Sequence, residues 1–249
     1  MMDFTGRHVV VTGASTGIGH ATAGRIHAAG GKVTLIARSA GRLAAACEEL
    51  GTRAAWVAAD AGDKAQLIAA LDEAVEVSGP IDGLFLNAGT GGGFAPVSAY
   101  DDEVWDAVMA VNLKGPFWAI AHVLPQMAER GGGAILVTGS LASERGMANN
   151  VAYVASKHAV LGLARAVALE GGPQGVRCNC VVPGFIETPM LDALPPEAWE
   201  TMAARVPQRR TGKAEELAEV AAFLLSDAAS HVNGQSWAVD GGVLGTLEV

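Results

Sequence analysis

The sequence predicts an α/β fold in which one parallel, doubly wound sheet of about seven strands carries helices on both faces. Short runs rich in β-branched residues recur along the chain, and amphipathic segments of about 12 to 25 residues separate them. Half of the residues are hydrophobic, yet only 5% are aromatic. That composition favours flat strands covered on both faces by closely packed helices over a β-barrel.

The predicted strands are, in order, HVVVTG, KVTLIAR, RAAWVAAD, IDGLFLNAG, GAILVTGS, VRCNCVVPG and SWAVDGG. Strands that alternate with helices in this way lie parallel and are joined by right-handed crossovers. In such a Rossmann-type sheet, the ligand site lies beyond the carboxyl ends of the strands, where the strand order reverses. The polar and glycine-rich motifs of this sequence fall at those ends.

No linker, charge run or repeat divides the sequence, so we expect a single domain over residues 1–249. Residues 184–211 form the one long irregular stretch and are rich in Pro, Met and Leu. We interpret this stretch as a substrate-loop insertion that closes over the substrate. A surface excursion or a subunit contact is the alternative.

Charge and cysteine content exclude several classes of function. The net charge of -9 disfavours nucleic acid as a partner, because binding a polyanion requires a basic surface. The three cysteines, Cys47, Cys178 and Cys180, lack the spacing of a metal site or a disulfide framework. The N-terminal apolar run is too short for a signal peptide or a membrane span. We therefore expect a cytoplasmic protein with no bound metal and no membrane contact.

A glycine-rich turn follows the first strand and opens the first helix, where glycine lets the backbone approach a pyrophosphate at the helix N-terminus. Glycines in this position also serve simple strand-to-helix packing, which is the alternative. The candidate cofactor-binding residues of this turn are Gly13, Ser15, Thr16, Gly17, Ile18 and Gly19.

The end of the second strand favours NADP(H) over NAD(H). An acidic residue here would bind the 2′-hydroxyl of the adenosine ribose, whereas an arginine accepts a 2′-phosphate. The sequence supplies Arg38 and Ser39 and no carboxylate. The alternative is a solvated arginine at the start of a helix.

Two further strand ends contribute candidate cofactor contacts. Asp60 and Ala61 follow the third strand, and Asp60 could accept a hydrogen bond from adenine or cap the helix beginning near Asp63. Asn87, Ala88 and Gly89 follow the fourth strand, where small residues allow close approach to a cofactor; an ordinary turn is the alternative.

Tyr153 and Lys157 are the candidate chemical groups. Their spacing of four places them on one face of a helix. A nearby ammonium lowers the pKa of a phenol by favouring the phenolate, which would suit Tyr153 to acid–base catalysis near neutral pH. A surface pair of no chemical consequence is the alternative.

Ser140 and Asn112 complete the predicted site. Ser140 ends the fifth strand, where its hydroxyl could hold a substrate oxygen; Thr138 and Ser143 are the alternative hydroxyls. Asn112 lies within a long apolar helix that begins near Asp101, so its amide should have a partner. That partner is either a structural hydrogen bond or a water linked to Lys157.

Taken together, these motifs resemble the ordered motif set of the short-chain dehydrogenases/reductases over nearly the whole chain. The joint order and spacing of the motifs are specific to that family. The residues that carry the resemblance are Thr12 to Gly19, Asn87-Ala88-Gly89, Asn112, Ser140, Tyr153, Lys157, Pro183-Gly184 and Ile186 to Pro189.

The resemblance implies a role for each of these residues. Tyr153 would be the general acid/base, Ser140 would orient the carbonyl, Lys157 would hold the nicotinamide ribose, and Asn112 would support a proton-relay water. It also implies that Ile186 and Thr188 contact the nicotinamide carboxamide above a turn shaped by Pro183 and Gly184. A homotetramer, formed through the helices at about 101–129 and 151–170 and through the C-terminal strand, would follow as well.

The predicted function is hydride transfer between NADP(H) and a small-molecule ketone or secondary alcohol that is hydrophobic or cyclic. One alternative is a 3-oxoacyl-thioester reductase, whose acidic carrier protein could dock on a basic cluster of Arg205, Arg209, Arg210 and Lys213. The other is a nucleotide sensor or scaffold that keeps the fold without turnover.

Overall fold

A computed structural model describes residues 2–189 and 195–246 of the chain. One seven-stranded parallel sheet dominates it, and each of the seven predicted runs contributes one strand, which confirms the predicted fold class. These strands are β1 (His8–Thr12), β2 (Lys32–Ala37), β3 (Ala54–Ala58), β4 (Gly83–Leu86), β5 (Gly133–Thr138), β6 (Val176–Pro183) and β9 (Ser236–Val239). Their order across the sheet is β3-β2-β1-β4-β5-β6-β9.

Helices cover both faces of the sheet. They are α1 (Gly17–Ala28), α2 (Ala40–Leu50), α3 (Lys64–Ser78), α4 (Asp102–Met109), α5 (Gly115–Glu129), α6 (Val151–Gly171), α7 (Pro196–Arg205) and α8 (Ala214–Leu225). Neighbouring side chains of a strand point to opposite faces. Val10 accordingly packs in a core with α3, α5 and α6, while Val9 and Val11 pack in a second core with α1, α2 and α8.

The strand order reverses between β1 and β4. From β1 the chain builds the sheet in one direction through β2 and β3, and from β4 it builds in the other. The connections that leave the carboxyl ends of β1 and β4 therefore diverge to opposite faces, which opens a crevice beyond Thr12 and Leu86.

The segment predicted as one long helix from about 101 to 129 is interrupted. A π-helical turn, Ala110–Lys114, lies between α4 and α5. At its end Gly115 packs against the carbonyl oxygen of Ala61, where a Cβ atom would not fit. By length and composition alone, Asp102–Glu129 could also cross a membrane. Part of its apolar surface, including Ile120 and Val123, is buried in the core that α3 and α6 share with the sheet, whereas Phe117 is exposed.

The stretch 184–211 leaves β6 and returns to α8. It begins with a short strand β7 (Ile186–Glu187), which pairs in parallel with β8 (Gly212–Lys213), and it contains α7. Met190, Leu191 and Leu194, which belong to the predicted insertion, lie outside the described residues.

Candidate active site

The hydroxyl of Thr12 joins the two strand ends at the reversal point. Its Oγ1 accepts hydrogen bonds from the main-chain N–H groups of Asn87 and Ala88, at 3.0 and 3.1 Å. The side-chain amide of Asn87 in turn donates to the carbonyl oxygen of Gly13, at 3.3 Å. The glycine-rich turn and the Asn87-Ala88-Gly89 turn are thus fixed against each other.

Close packing explains part of the glycine pattern. Gly13 has a φ of 65°, and a Cβ there would lie 2.9 Å from the Cα of Ala88. A Cβ at Gly19 would collide with the carbonyl oxygen of Gly13. The packing alternative therefore holds for these two glycines, independently of any phosphate nearby.

The N-terminus of α1 nevertheless suits a phosphate. Thr16 occupies the capping position but its side chain makes no capping hydrogen bond, and the first turn, which lies within the described residues, has no acidic side chain. By contrast, Ser39, Asp63 and Asp101 cap α2, α3 and α4 with their own side chains. The first amides of α1, beside Ser15, remain available to an anion.

Arg38 and Ser39 follow β2 at the same edge. Arg38 is exposed, and within residues 2–189 and 195–246 its guanidinium has no hydrogen-bond or ion-pair partner. Ser39 caps α2 by accepting from the N–H of Arg42 at 3.5 Å, which leaves its own O–H free to donate. Both groups fit the 2′-phosphate of NADP(H).

One of the two uses predicted for Asp60 is wrong. The cap of α3 is Asp63, whose Oδ1 accepts from the N–H of Gln66 at 3.1 Å. Asp60 instead accepts from the N–H of Gly62 through its Oδ1, at 2.8 Å. Capping is achieved by Asp63 because a residue directly before the helix can reach the free N–H groups of its first turn.

The turn after β6 brings residues 183–188 to the crevice. A Cβ at Gly184, after Pro183, would lie 2.6 Å from the Cα of Asp240, so glycine is required for this approach. The Thr188 methyl group lies 3.2 Å from a Cβ built on Gly17, which places Thr188 beside the glycine-rich turn. Ile186 is buried among apolar side chains of α1 and α8.

Asn112 is buried in the π turn and its side chain is fully satisfied. Its Oδ1 accepts from the N–H of Thr90 at 2.8 Å, and its Nδ2 donates to the Thr90 carbonyl at 2.9 Å and to Ser156 Oγ at 3.1 Å. The structural alternative for Asn112 is therefore realised. Asn112 also lies close to Lys157, because a Cβ built on Gly89 would be 3.4 Å from Asn112 Oδ1 and 3.7 Å from Lys157 Nζ.

Ser140, Tyr153 and Lys157 meet beyond the end of β5. The Ser140 hydroxyl faces the Tyr153 phenol. Lys157 Nζ lies 5.7 Å from the centre of the Tyr153 ring and donates to the Thr138 carbonyl at 2.7 Å. The alternative hydroxyl Ser143 is buried and accepts from the N–H of Ser140 at 3.1 Å, so it supports the serine instead of facing a substrate.

Burial dominates the electrostatics of the tyrosine and the lysine. Removal from water lowers the pKa of Lys157 to about 8, since the ammonium loses its hydration. Burial also raises the pKa of Tyr153 above its ordinary value, and the neighbouring Ser140 hydroxyl only partly opposes this. The expected lowering of the Tyr153 pKa by Lys157 is thus opposite to the net shift that the protein produces. At neutral pH the phenol carries its proton.

Comparison with known proteins agrees with this geometry. Residues 13–244 match the family described as Enoyl-(Acyl carrier protein) reductase. A cis-4-hydroxycyclohexanecarboxylate dehydrogenase of Sinomonas cyclohexanicum is 40% identical over 96% of this chain and 97% of that protein. The chain belongs to the short-chain dehydrogenase/reductase family.

Other members of the short-chain dehydrogenase/reductase family are equally similar. A levodione reductase of Leifsonia aquatica is 40% identical over 96% of this chain and 94% of that protein. The crystal structure of a levodione reductase superimposes with a TM-score of 0.92 at 38% identity, covering 96% of this chain and 98% of that chain. Like these relatives, the chain is an oxidoreductase of alcohol and ketone groups, and a family member of this kind uses a nicotinamide cofactor.

The sequence analysis named Thr12 and Thr138 without the contacts they make in this short-chain dehydrogenase/reductase site, and it gave Ser156 no role. Thr12 ties the two cofactor turns together, and Ser156 links Asn112 to the carbonyl of Tyr153, which it reaches at 2.8 Å. Thr138 matters through its carbonyl, which holds Lys157, and through its hydroxyl, which donates to Asn87 Oδ1 at 3.2 Å. Their positions next to recognised motifs are the only signal in the sequence.

Proposed function

We propose that the protein is an NADP(H)-dependent reductase of hydrophobic or cyclic ketones that also oxidises the corresponding secondary alcohols. The observation that carries the proposal is the meeting of Ser140, Tyr153 and Lys157 beyond the end of β5. A protonated phenol beside a serine hydroxyl is suited to donating a proton to a carbonyl oxygen.

Each catalytic side chain has a separate task in ketone reduction. Ser140 donates a hydrogen bond to the carbonyl oxygen and orients it. Tyr153 transfers its phenolic proton to that oxygen as it becomes an alcohol, and the positive charge of Lys157 stabilises the phenolate that remains. A bound nicotinamide supplies the hydride in reduction and accepts it in oxidation. Asn112 holds the π turn and Ser156 in place behind this group.

The residues at the crevice fit a dinucleotide with a 2′-phosphate. The uncapped N-terminus of α1 suits the pyrophosphate, and Arg38 with Ser39 suits the 2′-phosphate. We propose that the remaining contacts come from Gly13, Ser15, Thr16, Gly17, Ile18, Gly19, Asp60, Ala61, Asn87, Ala88, Gly89, Tyr153, Lys157, Pro183, Gly184, Ile186 and Thr188.

Replacing Tyr153 by phenylalanine tests the proton transfer. We expect Tyr153→Phe to lower kcat by at least about a hundredfold, since general acid catalysis contributes that much, while NADPH still binds. The control is Tyr100→Phe, because the Tyr100 hydroxyl is also buried but has no partner among the described residues. Steady-state rates followed at the NADPH absorbance measure both. An unchanged rate in Tyr153→Phe would refute the mechanism.

Replacing Arg38 by alanine tests the cofactor preference. Loss of a guanidinium–phosphate pair is expected to raise the KM for NADPH about tenfold or more, because a charge-assisted bond to the phosphate is removed. The KM for NADH, which has no 2′-phosphate, serves as the internal control and stays unchanged. Equal effects on the two cofactors would contradict the role of Arg38.

A cyclic substrate is supported by both the relatives and the rim of the crevice. The relative from Sinomonas cyclohexanicum is named for a cyclohexane substrate. Phe94 and Met147, on the loops that follow β4 and Ser140, expose apolar surface. Such surface suits an apolar ring better than a charged chain.

The 3-oxoacyl-thioester alternative is favoured by the description of the matching family, which names an acyl carrier protein. The basic cluster proposed for the carrier is partly neutralised, however. Arg210 forms an ion pair with Glu216 at 2.6 Å, whereas Arg209 donates to the carbonyl of Ala204 and keeps its charge. Fewer cations remain for an acidic partner, so the ketone is preferred.

A substrate panel separates the two. NADPH oxidation is followed with cyclic ketones, aromatic ketones and 3-oxoacyl thioesters at equal concentration. Higher kcat/KM for a cyclic ketone supports the proposal, whereas higher kcat/KM for a thioester replaces it with the alternative.

We further propose a cytoplasmic homotetramer that associates through α4–α6 and β9; sedimentation at micromolar concentration tests the assembly.

A further inference from the structure

The last described residues of the chain form a hydrogen-bonded turn, residues 240–246, here named the C-terminal turn. The carboxylate of Asp240 organises it: Oδ1 accepts from the N–H of Gly242 at 2.8 Å, and Oδ2 accepts from the N–H of Leu244 at 2.7 Å. Gly241 and Gly242 have φ values of 64° and 101°, which favour glycine. Both oxygens of Asp240 are thus committed to the shape of the turn.

The C-terminal turn is bonded to the loop that carries Ser140. Arg145 Nη2 donates to the carbonyl oxygen of Leu244 at 3.0 Å. Beside it, Ser236 of β9 donates to Glu144 Oε1 at 2.6 Å. Two consecutive residues of the serine loop are therefore held by the C-terminal end of the chain.

Arg145 is also bonded to the turn of the serine itself. Ser140 caps a short 3₁₀ turn, Leu141–Ser143, by accepting from the N–H of Ala142 at 3.2 Å. The N–H of Arg145 donates to the carbonyl of Leu141 at 3.0 Å, which closes that turn. The Arg145 main chain thus belongs to the serine turn, while its side chain reaches the C-terminal turn.

Packing alone does not fix the C-terminal turn. None of the residues 240–246 is fully buried, and a cavity of about 340 Å³ borders Asp240, Gly241 and Gly242 on the side of Val206 and Gln208. Gly241 and Gly242 contact Val206 and Pro207, and Leu244 packs against the core, so the packing is partial and the hydrogen bonds of the turn add to it. The hydrogen bond from Arg145 connects the Leu244 carbonyl of the C-terminal turn to the serine loop.

We propose that Arg145 is a positioning residue for Ser140, which it anchors to the C-terminal turn. The proposal rests on the role of Ser140 given under Proposed function. Arg145 is exposed and belongs to no motif of the sequence analysis. It acts through the serine loop and touches neither the cofactor turns nor the phenol. Loss of the anchor lets the serine turn move away from the position in which its hydroxyl meets the carbonyl oxygen.

The experiment compares Arg145→Met with Arg145→Lys in the full-length enzyme during reduction of the best ketone of the panel. We expect Arg145→Met to lower kcat about tenfold, because small misplacements of a catalytic group are costly. The KM for NADPH stays unchanged, since the cofactor turns are untouched. Arg145→Lys recovers part of the loss because an ammonium can still donate to the Leu244 carbonyl. The matched control is Arg25→Met, which removes an arginine bonded to Glu219 at 2.6 Å on the α1–α8 side.

The outcomes separate this inference from the proposed function. A kcat of Arg145→Met within twofold of wild type overturns the inference, and so does a lysine variant that recovers nothing. If Arg145→Met folds poorly, Asp240→Asn replaces it, because this change weakens the same C-terminal turn. Asp240→Asn is also expected to lower kcat. An unchanged kcat in Asp240→Asn overturns the inference as well. Ser140→Ala is measured in parallel. Full activity of Ser140→Ala refutes the proposed mechanism itself. If Ser140→Ala is inactive while Arg145→Met stays active, only the positioning role of Arg145 is refuted.

Discussion

Replacement of Lys157 by methionine is expected to stabilise the protein while abolishing its turnover. The Lys157 side chain is 4% exposed, and burial lowers its pKa from 10.5 to about 8. A shift of that size means that burying the ammonium costs about 3 kcal/mol at neutral pH. Methionine fills a similar space without a charge.

The loss of one hydrogen bond offsets part of that gain. Lys157 donates to the Thr138 carbonyl at 2.7 Å, and leaving this acceptor without its partner costs about 1 kcal/mol. The net expectation is that Lys157→Met raises the free energy of unfolding by about 2 kcal/mol at pH 7. Activity is lost because the phenolate of Tyr153 is no longer stabilised.

The pH dependence of the stability difference between wild type and Lys157→Met shows whether burial of the lysine charge causes it. Below pH 8 lysine is charged in both the folded and the unfolded chain, so the whole cost of burial is present. As pH rises from 8 towards 10.5, the folded protein releases the proton first, and wild type gains stability relative to the variant. The difference in the free energy of unfolding between the two proteins is expected to be close to zero at pH 10.

Urea unfolding of both proteins at pH 7 and pH 10 is the assay, at one fixed concentration because association contributes to stability. A variant less stable than wild type at pH 7 would refute the electrostatic argument. A gap that does not change with pH would do the same, since it would assign the effect to packing.

Two further changes test the scaffold around the site. Arg177→Met is expected to lower the free energy of unfolding by about 2 kcal/mol, because the Arg177 guanidinium donates to the carbonyls of Leu224 and Ser226 at the end of α8. Urea unfolding measures this loss of stability. A loss below about 0.5 kcal/mol would contradict the role of Arg177. Asp63→Ala removes the side-chain cap of α3 and is expected to cost about 1 kcal/mol, seen as a lower Tm in thermal unfolding, with Asp63→Asn as the control that keeps the cap.

The fold was predictable because its signals are local. Each strand appears as a short β-branched run, and the turn at Gly13–Gly19 and the four-residue spacing of Tyr153 and Lys157 depend on neighbours in the sequence. The parallel order of the strands then brings Ser140 to the same edge as Thr12. Motifs at strand ends could thus be assembled into a site without coordinates.

The remaining features depend on contacts between distant segments. Lys157 meets the Thr138 carbonyl and Arg145 meets Leu244, pairs that only the folded chain brings together. The direction of the Tyr153 pKa shift depends on how deeply the phenol is buried, and sequence spacing carries no information on burial. The interruption of the helix at Asn112 lies beside the fit of Gly115 against Ala61, which is likewise a long-range contact.

The π turn at Ala110–Lys114 also sets a constraint on chain length. A π turn holds one residue more than a regular α-helical turn, and one residue rotates a helix by about 100° and advances it by about 1.5 Å. Deleting a single residue here would let α4 and α5 merge into a regular helix in nearly the same phase, while the side chains of the turn itself would shift by up to that rotation. Asn112 would then miss Thr90 and Ser156. Chimeras that exchange this helix between relatives must therefore match the number of residues between Asp101 and Gly115, whatever side chains they carry.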